Sequence, residues 1–562
     1  MGGIGPHRST TAAGTPPLAQ GPALILSLLG SFVSATVNIL DEPLVPVRWA
    51  PGADGRSDPL PARVGLRELL LRSHEIETLA VPDAPAHSAL LRVLYALAAR
   101  VTGLDEAKDG PDDWLMRREE ILAGGRLPEK GIDAYLARCR ERFFLFDPVP
   151  RGRPWMQDPR LKDQCDAAST AGVNKLVVTR PAGNNHAWFR HASDAVPDLP
   201  TVSEALLNLL TWHYYGPSGR CSAREVNGVT SASAKAGPLR TSLSYHPQGD
   251  TLLQTLLAGL VPPARETDAG RDLCPWEWDE LPDPEGPPPA LTGPCSKLTA
   301  ASMHALLLIP DTADGTRVRD AYITWAYRTG RAARPDDDYL IWQISKQGNT
   351  YPRLADSGRA LWRDLDALLL IDPPGVAQPR RPTVFEWALE VSPDLRVRAL
   401  GFEQDGQAKD TQFVDAVTPP VLGFVEQRSA RTQPAVGRLR VLGERFGTRL
   451  DRALRRAWRT YVNDPKDSAD AWAQAGAARY WPAAEREFWD RFRLLDRTGT
   501  ALDGGLDATA ARAAFLALAV AAFDEVTASA ARTQRGAKAV EEARTELFGA
   551  RHGKPAARPA AA

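Results

Sequence analysis

The last third of the chain constrains the fold most, because composition and periodicity change there together. Beyond Pro419-Pro420 the sequence becomes rich in Ala, Arg, Glu, Leu and Trp. Helical segments are predicted at about 436–463, 468–475, 480–495 and 507–548. Amphipathic helices joined by short connections bury their apolar faces against one another. The sequence therefore predicts a four-helix bundle over residues 421–549.

The preceding part, residues 36–420, mixes strand and helix patterns. Helices are predicted at 65–72, 88–102, 132–144, 202–214, 251–260 and 360–370. Short strands are predicted within 37–49, at 176–179 and within 385–400, and a loop rich in Gly, Ser and Ala at 216–240. The predicted fold class is α+β, with a large mixed α/β N-terminal domain followed by a C-terminal four-helix bundle.

The two ends of the chain are predicted to lie outside these domains. Residues 1–35 read as a disordered or mis-assigned extension, and the Ala-rich residues 550–562 as a disordered tail. The apolar run from Ala23 to Val33 is too short to span a bilayer, so no membrane contact is predicted. Only His7 and Arg8 could supply the positive start of a signal peptide, and export stays as an alternative.

Charge and cysteine content limit the partners and the compartment. The formal net charge is -1 and the pI is near 6.8. A protein that binds nucleic acid alone usually carries a basic excess, so any such contact here must be local or shared with partners. The five cysteines form no C-x-x-C pair, which predicts neither a disulfide framework nor a zinc site and favours the cytoplasm.

Local catalytic motifs are missing from the sequence. It contains no P-loop, no dinucleotide-binding glycine motif, no H-E-x-x-H and no G-x-S-x-G. These absences predict a binding or scaffold protein that is not an enzyme and holds neither metal nor cofactor. The alternative is a hydrolase or transferase whose active site gathers residues distant in sequence, such as Asp147, Asp158, His186 and His191.

A polar loop between Leu400 and Asp410 is the most distinctive short feature. Its Asp405-Gly406 dipeptide accepts positive φ, so a tight turn can present Gln407 and Lys409 outward. A plain hairpin tip with no binding role is the alternative.

A collinear series of segments carries a family resemblance. It comprises Val37 to Val47, Phe146 to Pro148, Pro154 to Pro159, Gly183 to Asn185 with Phe189, Gly237 to Arg240, Ala360 to Leu365, and Gly401-Phe402. In this order the segments resemble the CasA (Cse-type) large subunit of the type I-E CRISPR Cascade complex. The resemblance covers about residues 36 to 550.

The resemblance implies a function without catalysis. Members of this family recognise the protospacer-adjacent motif in double-stranded DNA, mainly from the minor groove, and help to open the duplex. They act with the other Cascade subunits and the guide RNA, which reads the target by base pairing. They also provide a docking surface for the recruited helicase-nuclease.

The resemblance also implies roles for particular loops. A glutamine wedge that parts the first target base pair matches Gln407, with Gly406 and Ala408 beside it and Lys409 as a neighbour. A glycine loop against the minor groove falls between Gly228 and Lys235, where this chain has Ser231, Ala232 and Ser233 in place of consecutive glycines.

Two further loops complete the implied interface. A basic finger matches the segment with Arg328, Arg331 and Arg334, because arginine suits a narrow minor groove as well as lysine does. The loop that contacts the guide-bound part of the complex matches Trp188, Phe189 and Arg190. An assembly scaffold without DNA contact is the remaining alternative.

Overall fold

The computed structural model describes most of the chain apart from its ends and several internal segments. The described residues are 37–53, 59–106, 110–146, 152–182, 196–265, 267, 270–311, 315–331, 335–371, 380–404, 410–424, 426–427, 435–495 and 505–549. All of them lie within the unit that extends from Ala35 to Ala562. They mix helices with strands and end in a run of helices, which confirms the predicted α+β class.

The first described elements are a small antiparallel sheet and six helices. Their bounds are β1 (Val45–Trp49), β2 (Arg63–Val64), α1 (Leu66–Leu71), β3 (Ile76–Leu79), α2 (Ala84–Thr102), α3 (Pro111–Ala123), α4 (Glu129–Cys139), α5 (Leu161–Gln164) and α6 (Val173–Leu176). The sheet has the order β2-β1-β3. Short 3₁₀ turns follow α4 and α5, at Arg140–Arg142 and Ala167–Ser169.

Helix α2 forms the centre of this part. Pro85 lies in its first turn, where a missing amide proton costs nothing, and Gly103 ends it with a left-handed φ of 68°. Nearly every side chain of α2 is buried, because α4, α7, α8 and α9 pack around it. Most of its buried side chains are apolar, and the buried Arg92 is paired with Asp337 at 2.7 Å.

The middle of the chain alternates strands with short helices. These elements are α7 (Val202–Tyr215), β4 (Gly219–Val226), β5 (Val229–Ala234), β6 (Leu243–Gln248), α8 (Leu252–Ala258), α9 (Pro294–Thr299), β7 (His304–Pro310), β8 (Val318–Trp325), β9 (Trp342–Ile344), β10 (Thr350–Pro352), α10 (Leu365–Leu369), β11 (Leu370–Ile371), α11 (Val384–Ala388), β12 (Arg396–Gln404), β13 (Asp410–Val417) and β14 (Glu426–Gln427). Further 3₁₀ turns lie at Pro275–Glu277 and Leu361–Asp364.

Antiparallel pairs dominate the sheets of this region. One sheet has the order β13-β12-β6, and β4-β5, β7-β8 and β9-β10 form hairpins. Strands β11 and β14 pair in parallel. Strand β8 also packs against both strands of the β4-β5 hairpin. Gln404 and Asp410 pair at one end of β12 and β13, and β8 supports the hairpin that follows α7.

Several predicted elements differ from the structure. The strand predicted at 176–179 is wrong, because the chain there ends the short helix α6, which buries Val173 and Leu176 beside β8. The loop predicted at 216–240 is wrong, because most of it forms the β4-β5 hairpin. Of the strands predicted within 385–400, the first part is helix α11 and the strand begins only at Arg396.

Four long helices close the described chain. They are α12 (Ala435–Val462), α13 (Asp470–Phe492), α14 (Ala508–Thr527) and α15 (Gln534–Phe548), with a 3₁₀ turn at Ala530–Arg532. Helix α12 packs against the other three, and α13 and α15 each pack against α14. The predicted division at 468–475 and 480–495 is wrong, because α13 continues through Pro482. The segment predicted as one helix at 507–548 is two helices.

One cluster of buried apolar side chains joins these layers. It extends from Ile39 to Leu547 and includes residues of α2, β12 and all four C-terminal helices. Within the described residues, no helix is long and apolar enough to cross a membrane.

Candidate nucleic-acid interface

The β4-β5 hairpin replaces the small-residue loop expected from the sequence. Its turn residues Asn227 and Gly228 have φ values of 50° and 75°, which suits a two-residue turn that matches the twist of paired strands. Val226 and Val229 pair directly on either side of the turn. Ser231, Ala232 and Ser233 therefore lie in strand β5, and their contact with DNA stays a prediction.

A cavity of about 920 Å³ opens beside this hairpin. Its lining residues include Ala182, Ala232 and Asp410. Ala182 directly precedes the segment 183–195, Ala232 belongs to β5, and Asp410 directly follows the segment 405–409. The structure thus brings the described borders of three predicted binding segments to one cavity, although they are far apart in sequence.

The cavity lining is rich in positive charge. Lys175, Arg180, Arg220 and Arg240 line it. Arg180 is paired with Glu204 at 3.1 Å and Arg240 with Asp410 at 2.6 Å, so the positive excess comes from Lys175 and Arg220. Burial lowers the pKa of Lys175, whose Nζ donates a hydrogen bond of 3.4 Å to the carbonyl oxygen of Arg220. Such an excess of cations in a concave site favours an anionic ligand.

Arg240 holds the two strands from which residues 405–409 emerge. Its Nη2 lies 2.6 Å from Oδ1 of Asp410, and its Nη1 donates to the carbonyl oxygen of Tyr215 at 2.8 Å. Asp410 also accepts a hydrogen bond from Nε2 of Gln404, its partner across the β12-β13 pair. Burial lowers the pKa of Arg240, although Asp410 opposes this effect. This ion pair fastens the base of the 405–409 segment.

Several predicted contact residues lie outside the described part of the chain. They are Gly406, Gln407, Ala408 and Lys409 of the wedge segment, Trp188, Phe189 and Arg190, and Arg334 of the basic finger. Their roles stay predictions from sequence.

The two described arginines of the basic finger are bound within the protein. Arg328 donates from Nη2 to the carbonyl oxygen of Val229 at 3.2 Å and forms an ion pair with Glu285 at 3.2 Å. Arg331 donates to the carbonyl oxygens of Pro289 and Ala300 at 2.8 and 2.9 Å, and burial lowers its pKa. Both guanidinium groups are thus bound to other parts of the chain, although 31% of the Arg328 side chain is exposed.

Lys235 lies beside the same segment and is exposed. A Cβ atom built on Gly330 would lie 3.7 Å from Cε of Lys235. The end of β5 and the 328–331 segment therefore meet, and Lys235 is the exposed cation at their junction.

Asp158, the one described residue of the alternative active site, belongs to a structural ion-pair group. Asp158 accepts from Arg160 and lies 2.8 Å from Nη2 of Arg224. Burial would raise the pKa of Asp158, but the hydrogen bond from Arg160 and the charge of Arg224 lower it below its ordinary value. Asp147, His186 and His191 lie outside the described residues. Among those that are described, no group of three His, Cys, Asp or Glu side chains could hold a metal ion.

Sequence reasoning missed the cations of the cavity and the residues that support the hairpin. Lys175 and Arg220 belong to no local motif, and Arg240, which ends the segment Gly237 to Arg240, is placed at the cavity only by its long-range contact with Asp410. The Asn227-Gly228 dipeptide is different, since it is the strongest short-range hairpin signal and was available in the sequence.

Sequence comparisons relate the chain to known proteins. The family model for CRISPR-associated protein Cse1 matches residues 38–525. The CRISPR-associated protein CasA/Cse1 of Thermus thermophilus is 28% identical over 396 residues, which cover 70% of this chain and 68% of that relative.

Solved structures show a similar fold. One chain from a CRISPR RNA-guided surveillance complex is 39% identical and superposes with a TM-score of 0.77, covering 91% of this chain and 99% of that chain. Thermus thermophilus CasA (Cse1) superposes with a TM-score of 0.67 at 23% identity and covers 92% of this chain and 98% of its own length.

Proposed function

This chain belongs to the Cse1 family of CRISPR-associated proteins, and we propose that it is the large subunit of an RNA-guided surveillance complex. In this proposal it recognises the protospacer-adjacent motif in double-stranded DNA and promotes opening of the duplex. It also helps to recruit the helicase-nuclease, and it performs no catalysis. The other subunits and the guide RNA are its partners.

The cavity lined by Lys175, Arg180, Arg220 and Arg240 carries this proposal. Arg180 and Arg240 are paired with carboxylates, and Lys175 and Arg220 supply the net positive charge that would attract the phosphates of nucleic acid to this concave site. Ala182 directly precedes the segment 183–195, and Asp410 directly follows the segment 405–409. Both residues line this cavity, so the two segments adjoin the same site in the chain. A site of this kind supports contact with nucleic acid better than it supports a scaffold without DNA.

The charge of the whole chain suits a shared rather than independent interaction. A net charge of -1 provides no general attraction to DNA. In RNA-guided recognition, base pairing with the guide reads the sequence, and the protein needs to read only a short motif. A small basic site on a near-neutral subunit meets that requirement.

Gln407 is the residue that we propose opens the duplex. A side chain that enters a base stack needs small neighbouring residues so that the backbone can approach the DNA closely. Gly406 and Ala408 on either side of Gln407 meet this requirement. The pairing of Gln404 with Asp410, and the ion pair of Asp410 with Arg240, would hold the base of this segment against the resistance of the base stack.

The test is motif-dependent DNA binding by the reconstituted complex with Gln407→Ala. A fluorescent base analogue at the first target base pair reports opening, while gel-shift titration reports binding. Opening should fall by about tenfold or more, because unstacking one base step costs a few kcal/mol. Gln412→Ala is the matched control, since Gln412 is an exposed glutamine of β13 that lies outside the 405–409 segment.

The outcomes separate the proposal from its alternatives. A complex without this subunit should lose motif-dependent binding, and normal binding by that complex would contradict the proposal. If Gln407→Ala opens the duplex as well as the wild type does, the wedge assignment is wrong. Hydrolysis of a nucleotide or ester substrate that disappears with His186→Ala would instead favour the enzyme alternative.

A further inference from the structure

The β4-β5 hairpin is anchored through Arg224 of β4, which is fully buried and pairs directly with Ser231 of β5. The Nη2 atom of Arg224 donates to Oδ2 of Asp158 at 2.8 Å, and its Nε donates to Oε1 of Gln164 at 2.9 Å. Its Nη1 donates to the carbonyl oxygen of Trp325 at 3.0 Å. A buried cation with this set of acceptors is held in one position.

At the same paired position the other strand, β5, is held by Trp325, the last residue of β8. Its Nε1 donates to the carbonyl oxygen of Ser231 at 3.0 Å, and the side chain is almost fully buried. The guanidinium carbons of Arg224 and Arg328 lie 5.2 and 5.1 Å from its ring centroid. Both distances are within the range of a cation–π interaction.

The tip of the hairpin is fastened by Glu285. This carboxylate accepts a hydrogen bond of 2.6 Å from Nδ2 of Asn227 in the turn and forms the ion pair with Arg328. Arg328 in turn donates to the carbonyl oxygen of Val229, and its backbone amide donates to the carbonyl oxygen of Pro284 at 2.9 Å. The proline-rich connection before α9 thus holds both the turn and Arg328.

We propose that Arg224, Trp325, Glu285 and Arg328 form a brace that holds the β4-β5 hairpin in its DNA-binding conformation before DNA arrives. An isolated two-stranded hairpin is marginally stable in water, so its strands need outside support. A hairpin that is already ordered avoids the entropic cost of ordering on binding. This inference rests on the proposed function, since it assumes that the hairpin contacts DNA.

The brace changes the role assigned to Arg328. Its guanidinium group is committed to Val229, Glu285 and the Trp325 ring. Arg328 is therefore a positioning residue that acts through the hairpin, and it does not contact a phosphate itself. Among the described residues of the junction, Lys235 is an exposed cation.

Glu285→Gln in the reconstituted complex distinguishes these roles. The substitution removes the ion pair with Arg328 while leaving every cation in place. Loosening of the brace should lower motif-dependent affinity by about 3- to 10-fold, as expected for the loss of a charged hydrogen-bonded pair. Direct contact by Arg328 would instead give unchanged or tighter binding, because its guanidinium group would be released toward the phosphates.

Two further measurements accompany the titration. Amide hydrogen exchange of residues 229–234 should become faster in Glu285→Gln, because hydrogen exchange reports local opening of the hairpin.

Arg328→Gln should lower DNA affinity without changing the slope of log K against log salt, whereas a lost phosphate contact reduces that slope by about 0.9. Glu280→Gln is the matched control, because Glu280 is an exposed carboxylate of the same connection.

The results separate the brace from the proposed function. Absence of motif-dependent binding by the wild-type complex would contradict both. Normal wild-type binding together with unchanged or tighter binding by Glu285→Gln would overturn the brace alone, as would a reduced salt slope for Arg328→Gln. Lower affinity, faster exchange and an unchanged slope would support it.

Discussion

Four buried histidines are held in the neutral form by their surroundings. Burial lowers the pKa of His87 to about 3 and the pKa values of His213 and His304 to about 4, and it lowers the pKa of His246 well below its ordinary value. His213 shows how neutrality is maintained. Its Nε2 donates to the carbonyl oxygen of Met156 at 2.8 Å, so its Nδ1 accepts from the hydroxyl of Ser302 at 2.9 Å.

The neutral histidines predict that stability falls in mild acid. An unfolded histidine binds a proton below a pH of about 6.5, but buried His213 does so only near its folded pKa of about 4. The contribution of neutral His213 to the free energy of unfolding is complete above about pH 6.5. It decreases by about 1.4 kcal/mol per pH unit as the pH falls toward 4. Urea unfolding between about pH 7.5 and 4.5 measures this slope.

The variant His213→Gln tests the assignment. It should be less stable near neutral pH, because it loses a buried side chain with two hydrogen bonds. Its unfolding free energy should depend less steeply on pH, by about 1.4 kcal/mol per unit below pH 6.5. An unchanged slope would show that His213 becomes protonated as readily in the folded protein as in the unfolded chain.

At the scale of secondary-structure elements, small residues let α12 and α13 approach each other closely. A Cβ atom built on Gly447 would lie 2.3 Å from Cη2 of Trp481, and one built on Gly476 would lie 2.2 Å from Cδ1 of Leu454. Glycine lowers the helix propensity of both positions. Close packing between the helices is therefore the reason that these positions lack a side chain.

Gly447→Ala should destabilise the protein although alanine is the better helix former. Overpacking against Trp481 costs about 1–3 kcal/mol, which exceeds the gain of about 1 kcal/mol in helix propensity. Thermal unfolding of the purified chain measures the difference. Thr448→Ala, at the next and exposed position of α12, should be neutral or slightly stabilising. A more stable Gly447→Ala variant would contradict the close packing.

Helix α13 shows why element boundaries are difficult to predict. Pro482 lacks an amide proton, which predicts a break near that position. The helix nevertheless continues, with Tyr480, Ala484 and Phe488 buried on one face. Packing of that face outweighs the lost hydrogen bond, because most helix stability in proteins comes from tertiary contacts.

At the scale of the whole molecule, Trp362 joins the mixed α/β part to the C-terminal helices. It is fully buried, and its ring centroid lies 4.7 Å from that of Phe488 and 6.3 Å from that of Trp481. Charged pairs surround this contact. Arg363 donates to Glu444 at 2.7 and 3.0 Å, and Arg440 lies 2.8 Å from Asp366. The two parts consequently share one core.

Trp362→Ala should lower the free energy of unfolding by about 3–5 kcal/mol, because it leaves a large cavity in that shared core. Urea unfolding followed by circular dichroism measures the loss. Trp362→Phe keeps an aromatic ring against Phe488 and should lose less than half as much. Equal losses in the two variants would show that ring packing does not provide the stability.

The predicted site illustrates the limits of sequence at this scale. The segments that border the cavity can be recognised individually, through glycines and the family resemblance. The ion pairs of Arg328 with Glu285 and of Arg240 with Asp410 join residues 43 and 170 positions apart. No local pattern contains both members of such a pair. The sequence therefore could not predict that these arginines form ion pairs within the protein.

Local sequence was enough for the α+β class and for the positions of several helices, such as α2 and α7, because periodicity acts between residues close in the chain. Only the folded chain decides which cations face the shared cavity, which arginines are already bound and how the β4-β5 hairpin is supported. Those properties depend on contacts between distant segments, and such contacts form only when the common core brings the segments together.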